Sequence, residues 1–223
     1  MGKALAVAVV VLLVVLGYRA GRDAQPVGAK RAPQAKAAST QAAAPATQAA
    51  APSSQGVDEA TFWNLVEQTR KASGNNTGDQ SSRLEERLSK LPPQAIVKFA
   101  QIRHQLDQRA YTYRMWGAAY VIDDGCSDDC FRDFRAYVIS LGPRAYEQAI
   151  ANPDSLASVA QDAETGDWEN ADNVAPDAYS SRTGNDFPID ESDLSGRPAG
   201  TPFPENDIAL LKRQYPKLAA RFR

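Results

Sequence analysis

Histidine is almost absent from this chain: His104 is the only one among 223 residues, and cysteine occurs twice, as Cys126 and Cys130. His104 sits between Arg103 and Gln105 and reads as an exposed helical position. With no second histidine and no suitable nucleophile, no hydrolase triad can be assembled around it. The cysteines stand four apart, outside the two-residue spacing of the redox and zinc motifs. No segment carries a convincing strand signal, so the chain reads as all-α. Basic side chains are few where they would matter. Six fall in the first 56 residues against one acidic residue, and with the whole chain at −2 the remainder carries −7. Phosphate binding needs clustered Lys and Arg, so this acidic body excludes nucleic acid as the main partner.

Long apolar runs are also missing, with one exception. Ala4–Leu16 contains only Ala, Val and Leu, preceded by Lys3 and followed by Gly17, Tyr18 and Arg19. At about 1.5 Å per residue it spans roughly two thirds of the ~30 Å hydrocarbon layer, and Gly17, Tyr18 and the stem of Arg19 extend its reach. A cleaved signal peptide is the competing reading. Its cleavage sites are poor, since Arg22-Asp23-Ala24 and Tyr18-Arg19-Ala20 place a charge or a ring where a small residue is wanted. The reading adopted is an uncleaved single-pass anchor over residues 1–24, with the membrane itself as one partner. Lys3 and the amino terminus oppose Arg19, Arg22, Lys30 and Arg31, which taken alone places the C-terminal side in the cytoplasm. The short N-terminal tail and the tract that follows favour the other side, and the lean is extracytoplasmic. Residues 25–56 hold almost no large apolar side chain and cannot offset the entropy of ordering. Pro26, Pro33, Pro45 and Pro52 keep their alanines from forming one helix, so the segment reads as a disordered tether.

The foldable part is then 57–223, read as six to seven helices. Asp58 is placed to cap the first, with Val57 stapling onto Phe62 and with Phe62, Leu65, Val66 and Thr69 on one face. Gly74–Gly78 breaks it, and Leu84, Leu88 and Leu91 mark the second helix, stopped by Pro92-Pro93. A third, long helix carries Phe99, Ile102, Leu106, Ala110, Tyr113, Trp116, Ala119 and Tyr120 at spacings of three and four. Gly125 ends it, and Ser127 caps a fourth whose apolar face is Phe131, Phe134, Val138 and Leu141. Short helices follow over 143–150, 153–159 and 167–179, then a surface excursion over 184–206 and a last helix from about Asn206.

Three clusters together carry a resemblance: Trp116-Gly117-Ala118-Ala119-Tyr120, then Gly125-Cys126-Ser127-Asp128-Asp129 with Phe131, Phe134 and Arg135, then Asn152-Pro153-Asp154-Ser155-Leu156-Ala157. Together with Phe62-Trp63 and Tyr215-Pro216-Lys217-Leu218, they make the chain resemble the bacterial DUF4240 family, a domain of unknown function. The resemblance runs from about Asp58 to the C-terminus and implies no enzyme class. The anchor, the tether and Cys130 depart from the family's expected pattern.

Candidate chemistry concentrates between Asp123 and Arg135. Asp123, Asp124, Asp128 and Asp129 offer the oxygens a hard cation takes, but their spacing fits no calcium loop. Helix capping and an Asp128–Arg132 pair account for them, so no metal or cofactor is called. Asp128, Arg132 and Arg135 share one face and suit an anionic or amide-bearing ligand. For Arg135 the favoured account is an architectural pin paired to an aspartate rather than a binding group. Tyr113, Trp116 and Tyr120 form an aromatic row for stacking on a sugar or peptide, or for core packing. Cys126 and Cys130 pair across the turn in an oxidising compartment and stay buried thiols in a reducing one. The leading expectation is a membrane-tethered helical interaction or sensing domain with an unidentified protein partner. The alternative is an enzyme or small-ligand binder using Asp128 or Asp129 as general base, with Arg132 and Arg135 beside it.

Overall fold

The fold is taken from a computed structural model, which describes residues 56–160, 168, 170–188, 196–205 and 207–222. The apolar run Ala4–Leu16 and the proposed tether lie outside the described residues, and no helix within those residues is long and apolar enough to cross a membrane. The described architecture is all-α and carries no strand.

Helix α1 (Glu59–Ala72) starts where Asp58 Oδ1 accepts from the backbone N–H of Thr61 at 2.8 Å. Those hydrogen bonds hold the Asp58 carboxyl below its ordinary value. The helix buries Phe62, Trp63, Val66 and Thr69. Helix α2 (Thr77–Leu88) begins inside the Gly74–Gly78 breaker, because Asn76 Oδ1 accepts from Asp79 N at 2.8 Å. Pro93 then opens α3 (Pro93–Ala110), whose Phe99 ring lies 4.5 Å from that of Phe62.

The single long third helix expected from periodicity is two helices. Helix α3 ends at Ala110, and α4 (Tyr113–Ile122) restarts with Thr112 as its cap, Oγ1 accepting from Met115 N at 3.0 Å. The break has a tertiary cause. Tyr113 N donates to Ala199 O and Ala199 N donates to Tyr111 O, both at 3.0 Å, so the chain around residue 199 replaces the helical bonds lost at the break. The expected surface excursion is therefore partly docked, with Phe203 set edgewise against Trp116 and Tyr120.

Ser127 caps α5 (Asp128–Ser140), which buries both sides of its middle turns. Gly142, at φ +90°, leads into α6 (Pro143–Ala151), followed by a 3₁₀ helix at Pro153–Ser158 rather than an α-helix. Helix α7 (Ala171–Thr183) packs on α2 and α3. The last segment divides at Pro216 into α8 (Ile208–Gln214) and α9 (Pro216–Phe222).

Helix α9 closes over α4 and the 3₁₀ helix. Buried Asp154 accepts from Lys217 N and Leu218 N at 3.0 Å each, giving two free N–H groups at the start of α9 a carboxylate cap. The Tyr215 hydroxyl donates to Arg114 O at 2.7 Å, and burial raises its phenol pKa. Replacing Asp154 by alanine is expected to cost about 1–2 kcal/mol, the value of a lost N-cap, and to expose α9 to protease first. Urea unfolding with limited proteolysis checks this; unchanged C-terminal cleavage in Asp154→Ala counts against the capping role.

Candidate functional site

The face carrying Asp128, Arg132 and Arg135 in sequence is divided by the fold. Arg135 points inward with its side chain 2% exposed, and its Nη1 lies 2.9 Å from Asp107 Oδ2 on α3. That contact is ionic and lies off the line of a well-directed hydrogen bond. Its Nε donates to Phe131 O at 3.3 Å, and the guanidinium lies over the rings of Tyr111 and Phe131 at 4.5 and 5.0 Å. Burial raises the Asp107 carboxyl and lowers the Arg135 guanidinium, outweighing their mutual attraction in each case.

The acidic residues of the helix start face away from that pair. Asp128 is exposed and has no ion-pair partner among the described residues, so the expected Asp128–Arg132 pair does not form. Arg132 lies 3.5 Å from Asp129, 3.4 Å from Asp133 and 3.6 Å from Asp172. Asp129 is 82% exposed, and Asp172 also takes Arg103 Nη2 at 2.8 Å. One charge network thus joins α3, α5 and α7, with Asp107 and Arg135 at its buried end. Arg103, read from sequence as marking an exposed stretch, is buried there.

The aromatic row is stacked within the protein. Trp116 lies parallel to Phe131 at 5.0 Å and to Tyr113 at 6.3 Å, and its Nε1 donates to Cys126 O at 2.8 Å. Tyr120 meets Phe203 at 5.5 Å. Cys126 and Cys130 are joined as a disulfide across the turn, with Cys126 just before the Ser127 cap and Cys130 in the first turn of α5.

A cleft of about 700 Å³ lies elsewhere, between α1, α2, α5 and α6, and the sequence reading named none of its polar side chains as a site. Its wall includes Glu67, Arg70, Gln80, Tyr137, Arg144 and Gln148. Gln80 is 1% exposed and donates through Nε2 to Val66 O and Ser140 O at 3.3 Å. Its Oε1 takes no hydrogen bond from any described residue. Glu67 receives Arg70 at 2.9 Å and Lys71 at 3.1 Å, and these bonds hold its carboxyl below the usual range. A Cβ at Gly142 would meet Glu67 Oε2 at 2.5 Å, a contact the carboxylate can relieve by moving, so it is the φ of +90° that reserves the position for glycine. The bordering α6 N-terminus has no side-chain cap.

A lowered folded pKa makes Glu67's contribution present above its unfolded value near ~4.3 and lost as pH falls through the folded one. Wild type should therefore lose more stability between pH 6 and 3 than Glu67→Gln, by about 1 kcal/mol or less given its partial exposure. Urea midpoints at the two pH values check this, and parallel acid limbs would remove Glu67 from the account.

A family model described as a protein of unknown function, DUF4240, matches residues 57–181, more than half of the chain. The chain belongs to the DUF4240 family. The match ends inside α7, so α8 and α9 lie beyond it, although Asp154 and Arg114 of the DUF4240 region hold α9 in place. The resemblance read from the sequence extended to the C-terminus. No curated protein and no solved structure matches the chain.

Proposed function

We propose that this DUF4240 protein is a membrane-tethered helical binding domain that receives a polar segment of a protein partner in the cleft between α1, α2, α5 and α6. The observation that carries the reading is the composition of the cleft. It presents an acceptor at Gln80, a cation at exposed Arg144 and the uncapped start of α6, groups suited to the alternating donors and acceptors of a peptide chain. The membrane part rests on Ala4–Leu16 and its flanking charges. The Cys126–Cys130 disulfide favours a body on the extracytoplasmic side, where such bonds persist. The general-base alternative draws less support, since Asp128 and Asp129 are exposed while Arg135 is buried against Asp107.

A photoreactive amino acid placed at position 148 in the full chain, on the cleft wall, tests the proposal in intact cells. Position 101, exposed on α3 outside the cleft wall, is the control. One discrete adduct from position 148 and none from 101 supports the cleft. Identical adducts from both, or none from 148, overturns it. A topology reporter fused after Arg223 reads the compartment in the same cells.

A further inference from the structure

Between α4 and α5 the chain reverses within five residues, and three side chains end on one side of the turn. Asp123 follows the last turn of α4, Cys126 precedes the Ser127 cap, and Cys130 sits in the first turn of α5. One carboxylate oxygen and both sulfurs lie within 4.8 Å of one another. Asp123 Oδ2 is 3.5 Å from Cys130 Sγ, and that sulfur, being in a disulfide, has no proton to give.

We propose that this turn is a redox-gated zinc site, closed to metal as the disulfide and opened by a dithiol reductant. The dithiol supplies two electrons and two protons: its own thiols become a disulfide, the Cys126–Cys130 S–S bond breaks, and two thiols form. Zn²⁺ then displaces both thiol protons to solvent and binds two thiolates and the Asp123 carboxylate, leaving a fourth position for water.

Zinc ligand geometry supports this assignment. With Zn–S near ~2.3 Å and Zn–O near ~2.0 Å, tetrahedral ligands lie about 3.5 Å apart for sulfur and oxygen and about 3.8 Å for two sulfurs. The oxygen–sulfur edge is already present at 3.5 Å. The sulfur–sulfur edge requires only that the released side chains turn apart on backbones whose Cα atoms are 5.3 Å apart. The spacing is not the two-residue one of the common redox and zinc motifs, but its three intervening residues fall within the two-to-four range that cysteine ligand pairs span. The frame does not depend on the disulfide. Trp116 Nε1 holds Cys126 O at 2.8 Å, Ser127 Oγ holds Cys130 N at 3.2 Å, and Gly125 N donates to Tyr120 O at 3.2 Å.

The test reduces the full chain with dithiothreitol, removes the reagent anaerobically, confirms two thiols, and titrates Co²⁺ as a spectroscopic stand-in for zinc. The reduced chain should take one Co²⁺ with a sulfur-to-cobalt charge-transfer band and tetrahedral visible bands, both abolished by one equivalent of Zn²⁺. The oxidised chain and Cys130→Ser should show no such bands. Asp123→Asn should weaken binding at least tenfold with helical circular dichroism intact, and Asp124→Asn should leave it unchanged. A reduced chain without the bands, a disulfide that resists the dithiol, an oxidised chain that binds equally, or an Asp123→Asn variant that binds like wild type would each overturn the proposal.

Discussion

Asp107→Ala should destabilise the domain by about 3–5 kcal/mol, while Asp107→Leu with Arg135→Met in one chain should return to within about 1–2 kcal/mol of wild type. The single change leaves Arg135 charged, 2% exposed and held between Tyr111 and Phe131, with no route to water. It also leaves Arg103, buried on α3 with Asp107, as a second cation, paired to Asp172 at 2.8 Å. The double change removes both charges and fills the space with apolar atoms, so neither desolvation cost remains. Urea denaturation of wild type, Asp107→Leu, Arg135→Met and the double variant gives the coupling directly. Additive losses would show that the pair does not act as a unit.

The pH dependence has an unusual sign. Burial raises the Asp107 carboxyl above its ordinary value despite Arg135 and Arg103. A raised folded pKa contributes most below the unfolded value near ~3.9 and is lost as pH rises through the folded one. The deficit of Asp107→Ala should therefore widen in mild acid. An ion pair whose attraction outweighed its desolvation would give a deficit that narrows.

Elements with local causes were readable in the chain. Asp58 and Ser127 each cap their helix through a bond to a backbone N–H three residues on, a relation contained within one turn of sequence. The all-α architecture follows from the same local periodicities. Features with distant causes were not readable. Tyr111-Thr112 lies in an unbroken apolar stripe, and what parts it is the backbone at Ala199. Asp154 was conspicuous within Asn152-Pro153-Asp154, yet the N–H groups it caps are 63 and 64 residues away.

The candidate site shows the same division. Arg135 was open to pairing with an aspartate, but nothing local marks Asp107, on another helix, as that partner. The available signal was the i, i+4 pair Arg103 and Asp107, both one helical step from the stripe of Phe99, Leu106 and Ala110. The cleft gave less. Gln80 is a glutamine in a polar helix, Gly142-Pro143 reads as a helix stop, and only their meeting across α2 and α6 makes a wall.

Phe131→Ala carries the second large expected effect, about 3–5 kcal/mol, and Phe131→Leu separates its two sources. Phe131 is 1% exposed and lies between Trp116, parallel at 5.0 Å, and Tyr111, at 5.9 Å, beneath the Arg135 guanidinium. Alanine removes the ring's volume and leaves a cavity whose walls are held by α4 and α5. Leucine refills most of that volume but removes both stacked faces and the surface under the cation, each worth about 0.5–1.5 kcal/mol. If stacking contributes, leucine should cost at least about 1 kcal/mol; if only volume matters, it should fall close to wild type. Trp116 fluorescence reads the same change without unfolding the protein, because its indole loses a parallel neighbour while keeping its hydrogen bond to Cys126 O. A red-shifted emission in both variants, larger for alanine, places Phe131 as the wall between the indole and water. An unshifted spectrum in Phe131→Ala would mean that Tyr113 and Phe203 seat Trp116 without it.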